Sequence, residues 1–465
     1  MSRGRAHIIG VCGTAMGGVA VILKELGFDV SGSDAMFFPP ISLQLEKYGI
    51  KTYQFHQENV KDKDIIVVGN SVGKDNPEVL QAQAMGKRLY SYPEIINEFF
   101  GKKDFFVIAG THGKTTTTSL TAYILWRAGF NPSFLVGGIP INFGVSAKVN
   151  SGDIFVIEGD EYNTSFLDKR PKFFHFKPKR AVIGPVEVDH VDMYDTFDDY
   201  KKAFEDFART VEERLSYFNS QVVSSIAGSS GAKVKLSYSY ENPADFYPKD
   251  IRKLDIGYSF LVPGYDDYRF TIKILGRHNI VNALSVFALL NDMVPPNDFV
   301  EYLRDFHGVK RRLEVLYSSK RVYIIDDFAH HPTEIETGIL SLREFFDIVI
   351  VAFEPRSYTS RTIYHQEGFK RSFELADAVF IGKIFREERI PPEKRLNPND
   401  IVSHLQKKGV YSVYSENVSD KILDYIGSRY TRTEKKIVIV FMTSGDFYGE
   451  REKFVAEFRK IISVV

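Results

Sequence analysis

The chain has one cysteine, Cys12, in 465 residues, so no disulfide can form within it. That suits a reducing compartment, and a cytoplasmic location is expected. A charge excess is also missing, because Lys+Arg and Asp+Glu number 60 each. A nucleic-acid or membrane-surface binder would carry a basic surplus, so neither partner is expected. After the N-terminal segment, no apolar run approaches the ~20 residues that span a bilayer. The N-terminus itself imitates a secretory signal, with Arg3 and Arg5 ahead of an apolar stretch from Ile8 to Leu23. That stretch carries Gly10, Gly13, Gly17 and Gly18, which would make a poor helix. A strand, a glycine loop and a helix explain the same residues better.

What is present is ordinary for a globular enzyme, with 44% apolar and 26% charged residues. At ~100–200 residues per domain, three domains fit the length. Strand and helix patterns alternate, which predicts an α/β fold with parallel sheets. The pattern starts three times, and the boundaries are placed to give 1–102, 103–315 and 316–465. The first part shows a strand at His7–Val11, a helix at Ala15–Leu26, and strands at Asp29–Ser33 and Ile65–Val68. The second shows a strand at Phe105–Ala109, a helix at Ser119–Arg127, and strands at Ile154–Glu158 and Ala181–Ile183. Residues from Leu215 to Lys273 read as β-rich and irregular, with a loop at Gly228–Gly231 and a helix following at Asn279–Leu290. The third shows strands at Arg321–Ile325, Ile348–Val351 and Ile437–Met442, and a closing helix at Glu450–Ile462. The charged run Arg386–Asp400 reads as a surface loop.

Gly110-Thr111-His112-Gly113-Lys114-Thr115-Thr116 is the strongest motif. It leaves a strand and opens a helix, where backbone N–H groups and the helix N-terminus can wrap a phosphate. Lys114 would reach the outer phosphates of ATP, and the Thr115 hydroxyl would meet Mg²⁺. The strict P-loop pattern needs glycine at position 108, which is Ile108 here. The N-terminal loop, with Gly10, Gly13, Thr14, Met16 and Gly17, is followed by Ser33 and Asp34 at the end of the next strand. An acidic group there can bind a ribose hydroxyl, and on these residues alone NAD and a nucleotide sugar remain equal candidates. Carboxylates cluster at Glu158, Asp160 and Glu161, and Asp189-His190 follows a later strand. At strand ends beside a phosphate loop these groups favour a metal at the nucleotide. Adjacent histidines point apart, so His330-His331 is not expected to be a two-histidine metal site.

Together these segments resemble the Mur ligase family over nearly the whole chain. The matching pieces, in family order, are Gly10–Gly18, Gly110–Thr116, Glu158–Glu161, Asp189-His190, His278-Asn279 with Asn282, Arg311-Arg312, and Asp327 with His331-Pro332. The resemblance implies a Rossmann-like UDP-binding domain, a central P-loop ATPase domain and a C-terminal Rossmann-like α/β domain for the amine substrate. It implies catalytic roles for Lys114, Glu161 and His190, and Mg²⁺ held by Thr115, Glu161 and His190. It places ATP on Gly110–Thr116, His278, Asn279, Asn282, Arg312 and Asp327, and the UDP-sugar on the first loop. Activity would be ATP-dependent joining of UDP-N-acetylmuramate to an amine.

Within the family the chain is most similar to members that attach a whole tripeptide, L-alanyl-γ-D-glutamyl-meso-diaminopimelate, in peptidoglycan recycling. The segments that carry this are Gly137–Phe143, Val145–Ala147, Glu161-Tyr162, Phe166–Arg170, Lys172-Phe173 and Glu354–Ser357. Members that add free L-alanine are the alternative. The tripeptide carries several carboxylates, which call for cationic forks, and Glu354, Arg356, Ser357 and Arg361 are the expected peptide-binding residues. Three departures stand out. Gly184-Pro185 occupy a stretch where the family often has Asn, Asn163 stands where Asp is common, and Asp446-Phe447-Tyr448 replace a glycine-rich run.

Overall fold

A computed structural model describes residues 3–187, 194, 196–241, 243–357, 359–430 and 434–462. The chain forms two compact units, one of residues 1–273 with 277–309 and one of residues 274–276 with 310–465.

The first unit contains three sheets. Strands β1 (Arg5–Ile9), β2 (Asp29–Ser33), β3 (Lys51–Tyr53), β4 (Ile65–Val68) and β5 (Leu89–Tyr90) pair in the order β3-β2-β1-β4-β5. All four pairings are parallel. β6 (Asp104–Ala109), β7 (Ser133–Leu135), β8 (Ala147–Lys148), β9 (Ile154–Gly159), β10 (Pro178–Ile183), β11 (Arg214–Phe218) and β12 (Val234–Tyr238) form the second, in the order β12-β11-β10-β6-β9-β7-β8. Only its edge pair β7–β8 is antiparallel. The third is a small antiparallel sheet of β13 (Lys249–Lys253), β14 (Tyr258–Leu261) and β15 (Phe270–Ile272).

β1 and β6 each lie inside their sheet, and the chain continues to opposite sides of them. A crevice opens beyond the carboxyl end of such a strand, and both glycine loops sit there. β9 is buried along its whole length, which explains its apolar run from Ile154 to Ile157. The first two sheets share one apolar core. Polar ties join them as well. Gln44 and Ser146 exchange hydrogen bonds of 2.9 and 2.7 Å, and Glu25 accepts from Lys148 Nζ and Val149 N at 2.7 Å each.

The second unit is one six-stranded sheet: β16 (Glu314–Ser318), β17 (Val322–Asp327), β18 (Ile348–Phe353), β19 (Ala378–Ile381), β20 (Tyr411–Tyr414) and β21 (Ile437–Met442). Its order is β16-β17-β21-β18-β19-β20, parallel except for β16 against β17. Because β21, β18 and β19 are neighbours, the loops after Met442, Phe353 and Ile381 leave one edge of the sheet together.

The α/β reading holds, with shifts at element ends. The first strand stops at Ile9 rather than Val11, because Gly10 turns left-handed at φ +82°. The region from Leu215 to Lys273 is not all β. Residues Gln221–Gly228 form a helix whose first turn is capped by Ser220, so Gly228 lies in a helix and not in the predicted loop. The charged run after Arg386 contains two single helical turns, at Glu387–Arg389 and Pro392–Lys394, before a helix begins at Pro398. Among the described residues no helix is long and apolar enough to cross a membrane.

Candidate active site

The loop after β6 is shaped by close backbone approach. Gly110 has φ +128°, and a Cβ there would stand 2.8 Å from the backbone of Gly184. Gly184 N donates to Ala109 O at 2.8 Å, and Thr111 N donates to Pro185 O at 2.7 Å. Gly184-Pro185, the departure from the family pattern, thus braces the loop. Gly113 has φ +80° and opens the Lys114–Arg127 helix. A Cβ on Gly113 would stand 2.7 Å from Asn282 Oδ1, so the His278–Leu290 helix brings Asn282 against the loop. Asn282 donates to Asn279 Oδ1 at 2.9 Å. Thr111 Oγ1 lies 3.1 Å from the Tyr200 hydroxyl, and His112 lies 3.5 Å from Glu187.

Lys114 Nζ donates to both Glu161 oxygens at 3.1 and 3.0 Å and to Gly110 O at 2.6 Å. Burial would lower its pKa, but the Glu161, Asp160 and Glu158 carboxylates more than offset this and raise it. Glu158 Oε1 accepts from Gly137 N at 2.5 Å, and Oε2 accepts from Thr115 Oγ1 at 3.3 Å. Gly137 and Gly138 are glycines because a Cβ at either would crowd Glu158 or Thr115, at 2.8 and 2.9 Å.

Asp160 was expected only as part of a carboxylate cluster, but it anchors a buried group. Lys172 Nζ pairs with Asp160 Oδ2 at 3.0 Å, and the Tyr92 and Tyr162 hydroxyls also bond to that carboxylate. Lys172 lies 3.8 Å from the Tyr162 ring centre and 5.1 Å from that of Tyr92. Burial raises the Asp160 carboxyl, but Lys172 and Lys114 more than offset it and hold it below its usual pKa.

Three buried carboxylates therefore face two ammonium groups. Burial and the neighbouring Asp160 push the Glu158 carboxyl up to about 7. The Thr115 hydroxyl and the Glu161 carboxylate are hard oxygen donors of the kind Mg²⁺ takes, although among the described residues no three acidic or histidine side chains converge as a ligand set and both Glu161 oxygens accept from Lys114. His190, the other expected metal ligand, lies outside the described residues together with Asp189.

In the first loop, Gly10 and Gly17 are glycines for space. Cβ atoms there would stand 2.9 Å from Val72 and 2.5 Å from Ile41. Gly13 caps the Thr14–Glu25 helix without a side-chain bond. Met16 is buried, and Asp34 Oδ2 accepts from Cys12 N at 2.9 Å, tying the loop to the end of β2. Ser33 is fully buried. Its Oγ donates to Glu78 Oε2 at 2.5 Å and lies 3.1 Å from His7 Nε2, a network with no signal in the sequence.

In the second unit, Asp327 ends β17. Burial raises its carboxyl to about 7 against the opposing charge of Arg312. Arg312 lies 5.3 Å from the Phe328 ring centre. The adjacent histidines serve the Pro332–Arg343 helix: His331 Nδ1 accepts from Thr333 N at 3.3 Å, and His330 N donates to Glu334 at 3.1 Å.

Glu354 is fully buried. It accepts from Thr443 Oγ1 at 2.6 Å, from Phe447 N at 3.1 Å and from Arg356 Nη1 at 3.3 Å. Arg356 also pairs with Asp446. Arg361 donates to Ser357 O at 3.3 Å and to Phe385 O at 2.9 Å. Ser357 Oγ lies 2.9 Å from Ser360 Oγ.

Comparison with known proteins adds identity to this geometry. Residues 5–103 match the domain described as "Mur ligase family, catalytic domain", residues 108–290 the "Mur ligase middle domain", and residues 311–445 the "Mur ligase, glutamate ligase domain". The chain is 32% identical to the UDP-N-acetylmuramate–L-alanyl-γ-D-glutamyl-meso-2,6-diaminoheptandioate ligase of Haemophilus influenzae, over 97% of this chain and 98% of that one. It is 33% identical to the UDP-N-acetylmuramate–L-alanine ligase of Carboxydothermus hydrogenoformans, over 90% of each. The crystal structure of a UDP-N-acetylmuramate–alanine ligase from Thermotoga maritima superposes with a TM-score of 0.80 at 23% identity, covering 98% of this chain and 100% of that one, and shows the same fold. The chain belongs to the Mur ligase family of ATP-dependent ligases that form carbon–nitrogen bonds.

Proposed function

We propose that this ligase joins the lactoyl carboxylate of UDP-N-acetylmuramate to the alanine amine of L-alanyl-γ-D-glutamyl-meso-diaminopimelate, in the cytoplasm, as a step of peptidoglycan recycling. The observation that carries the peptide reading is the end-to-end match to the Haemophilus influenzae ligase named for that tripeptide. The domains are assigned as 1–102 for the UDP-sugar, 103–315 for ATP and 316–465 for the amine substrate.

A carboxylate is a poor electrophile, and phosphorylation by ATP gives it a leaving group. The amine then attacks the acyl phosphate through a tetrahedral intermediate, releasing phosphate and leaving an amide. The protein's part is positioning and charge neutralisation. Gly110–Thr116 would wrap the outer phosphates, with Lys114 turning from Glu161 to the transferred group. Bound Mg²⁺ would supply further neutralisation, with Thr115, Glu161 and His190 as its protein ligands. Glu158 and Lys172 would hold the carboxylate cluster in place from behind. Asn279, Asn282 and Asp327 would take adenine and ribose, and Arg312 the phosphates. Asp34 would fix the first loop for the UDP moiety. Glu354, through Arg356, would shape the peptide end of the site.

Addition of free L-alanine is the second reading, favoured by the Carboxydothermus hydrogenoformans relative. Full-length enzyme given ATP, Mg²⁺ and UDP-N-acetylmuramate, with either L-alanine or the tripeptide, decides between them by product mass. The tripeptide adduct is expected, and a preference for L-alanine overturns the reading.

A further inference from the structure

The loops after β18, β19 and β21 meet around one ring, Phe385. Its N–H donates to Pro355 O at 3.0 Å. The guanidinium carbons of Arg356, Arg386 and Arg361 lie 4.2, 5.2 and 6.0 Å from its centre. The Tyr448 ring lies 5.9 Å away.

The three cations are not equivalent. Arg356 is nearly buried between Glu354 and Asp446, so its charge is compensated twice. A Cβ on Gly445 would overlap its side chain, so the arginine is packed into place. Arg361 ties the loops together through the carbonyls of Ser357 and Phe385. Arg386 differs: among the described residues no carboxylate lies within ion-pair distance of it, and its guanidinium touches only the Phe385 ring. Arg386 and Phe385 are half-buried, and Tyr448 is 52% exposed.

Backbone strain concentrates here as well. Arg386, Phe447 and Tyr448 take φ values of +48°, +56° and +51°. Large side chains avoid this region because the Cβ crowds the following carbonyl oxygen. Strain of this kind collects where a fold aims side chains at a ligand. Phe447 is buried in the core below, so the strained turn lifts Tyr448 outward beside Phe385. A cation without a counter-charge, backed by the Phe385 ring, suits a planar anion better than an apolar group.

We propose that Arg386, backed by Phe385, is a specificity residue that receives the carboxylate at the far end of the amine substrate. This rests on the peptide reading above. Arg356, already neutralised, orients the loop, while Arg386 reads the third residue. An amine substrate lacking that residue makes no contact with Arg386.

The test uses the full chain with ATP, Mg²⁺ and UDP-N-acetylmuramate. kcat/KM is measured for the tripeptide and for L-alanyl-γ-D-glutamate, with wild type, Arg386→Ala and Arg386→Lys. Arg386→Ala should lower the tripeptide-to-dipeptide ratio about tenfold or more, mainly through KM, as loss of a charge-assisted contact does. Arg386→Lys should restore much of it. An unchanged ratio, whether or not both rates fall, overturns the inference and leaves the peptide reading standing. Wild-type enzyme that uses L-alanine and neither peptide removes the peptide reading itself, and the inference with it.

Discussion

Replacing Lys172 by Met would break a buried ion pair in which Nζ and Asp160 Oδ2 are 3.0 Å apart, with both side chains less than 10% exposed. Methionine keeps the length and removes the charge. Asp160 then keeps two tyrosine hydroxyls and the more distant Lys114, but loses its direct counter-charge. Removing one partner of a buried pair costs about 3–5 kcal/mol. At roughly 2–4 °C per kcal/mol for a domain of this size, the melting temperature should fall by about 6–20 °C. The loss should also depend on pH. Without Lys172, burial raises the Asp160 carboxyl above its unfolded value, and a raised acid loses stability as pH increases. The deficit against wild type is therefore larger at pH 8 than at pH 5. Trp126, the only tryptophan, lies in the Lys114–Arg127 helix of the same domain and reports its unfolding by fluorescence. The double variant Lys172→Met/Asp160→Asn removes both charges and should recover most of the stability. A shift below about 2 °C, or a double variant as unstable as the single, refutes the reasoning.

Lys114→Ala should slow phosphate release by roughly 10²-fold or more with the fold intact, since it removes an aligned ammonium from a preorganised site; near-normal turnover would sink the phosphate-loop role. Glu161→Ala should shift the Mg²⁺ concentration for half-maximal rate upward, and His190→Ala should do the same. Overlapping Mg²⁺ titrations would show that neither group organises the ion. Glu158 has its carboxyl raised to about 7 by burial and Asp160, so the stability it contributes is full below the unfolded value and is lost as pH rises through 7. Glu158→Gln should flatten the fall in Trp126-monitored stability between pH 5 and 8, and an unaltered slope would contradict the assignment.

The α/β architecture is legible because its signals are local. β9 is apolar from Ile154 to Ile157 because both faces are buried, and Ile437–Met442 matches the predicted strand residue for residue for the same reason; Asp29–Ser33 also matches, although Val30 is its only apolar side chain. Glycine positions mark the strand exits because Gly10, Gly110 and Gly113 must turn left-handed there. The Gln221–Gly228 helix escapes notice because it is short and Ser-rich. Its cap, Ser220, is visible only once a helix is suspected.

The site is readable only in part, because several of its residues act through distant partners. Nothing around Lys172 announces that it pairs with Asp160 between two tyrosines, one of them in the helix following β5. Ser33 is expected beside Asp34 as a UDP-sugar-binding residue, yet it donates to Glu78, 45 residues away, and is closed off by His7. Glu354 and Arg356 read as a pair of peptide ligands, but the fold puts Asp446 on the arginine and Thr443 on the glutamate, both from the loop after β21. That loop is where the chain replaces a glycine-rich run by Asp446-Phe447-Tyr448. Glycines would take the left-handed turn without strain and would leave Arg356 without its second carboxylate. The substitution costs backbone strain and returns a neutralised Arg356 with an outward Tyr448. The uncompensated charge at this edge of the sheet then passes to Arg386, in a segment that reads from sequence as a plain charged loop.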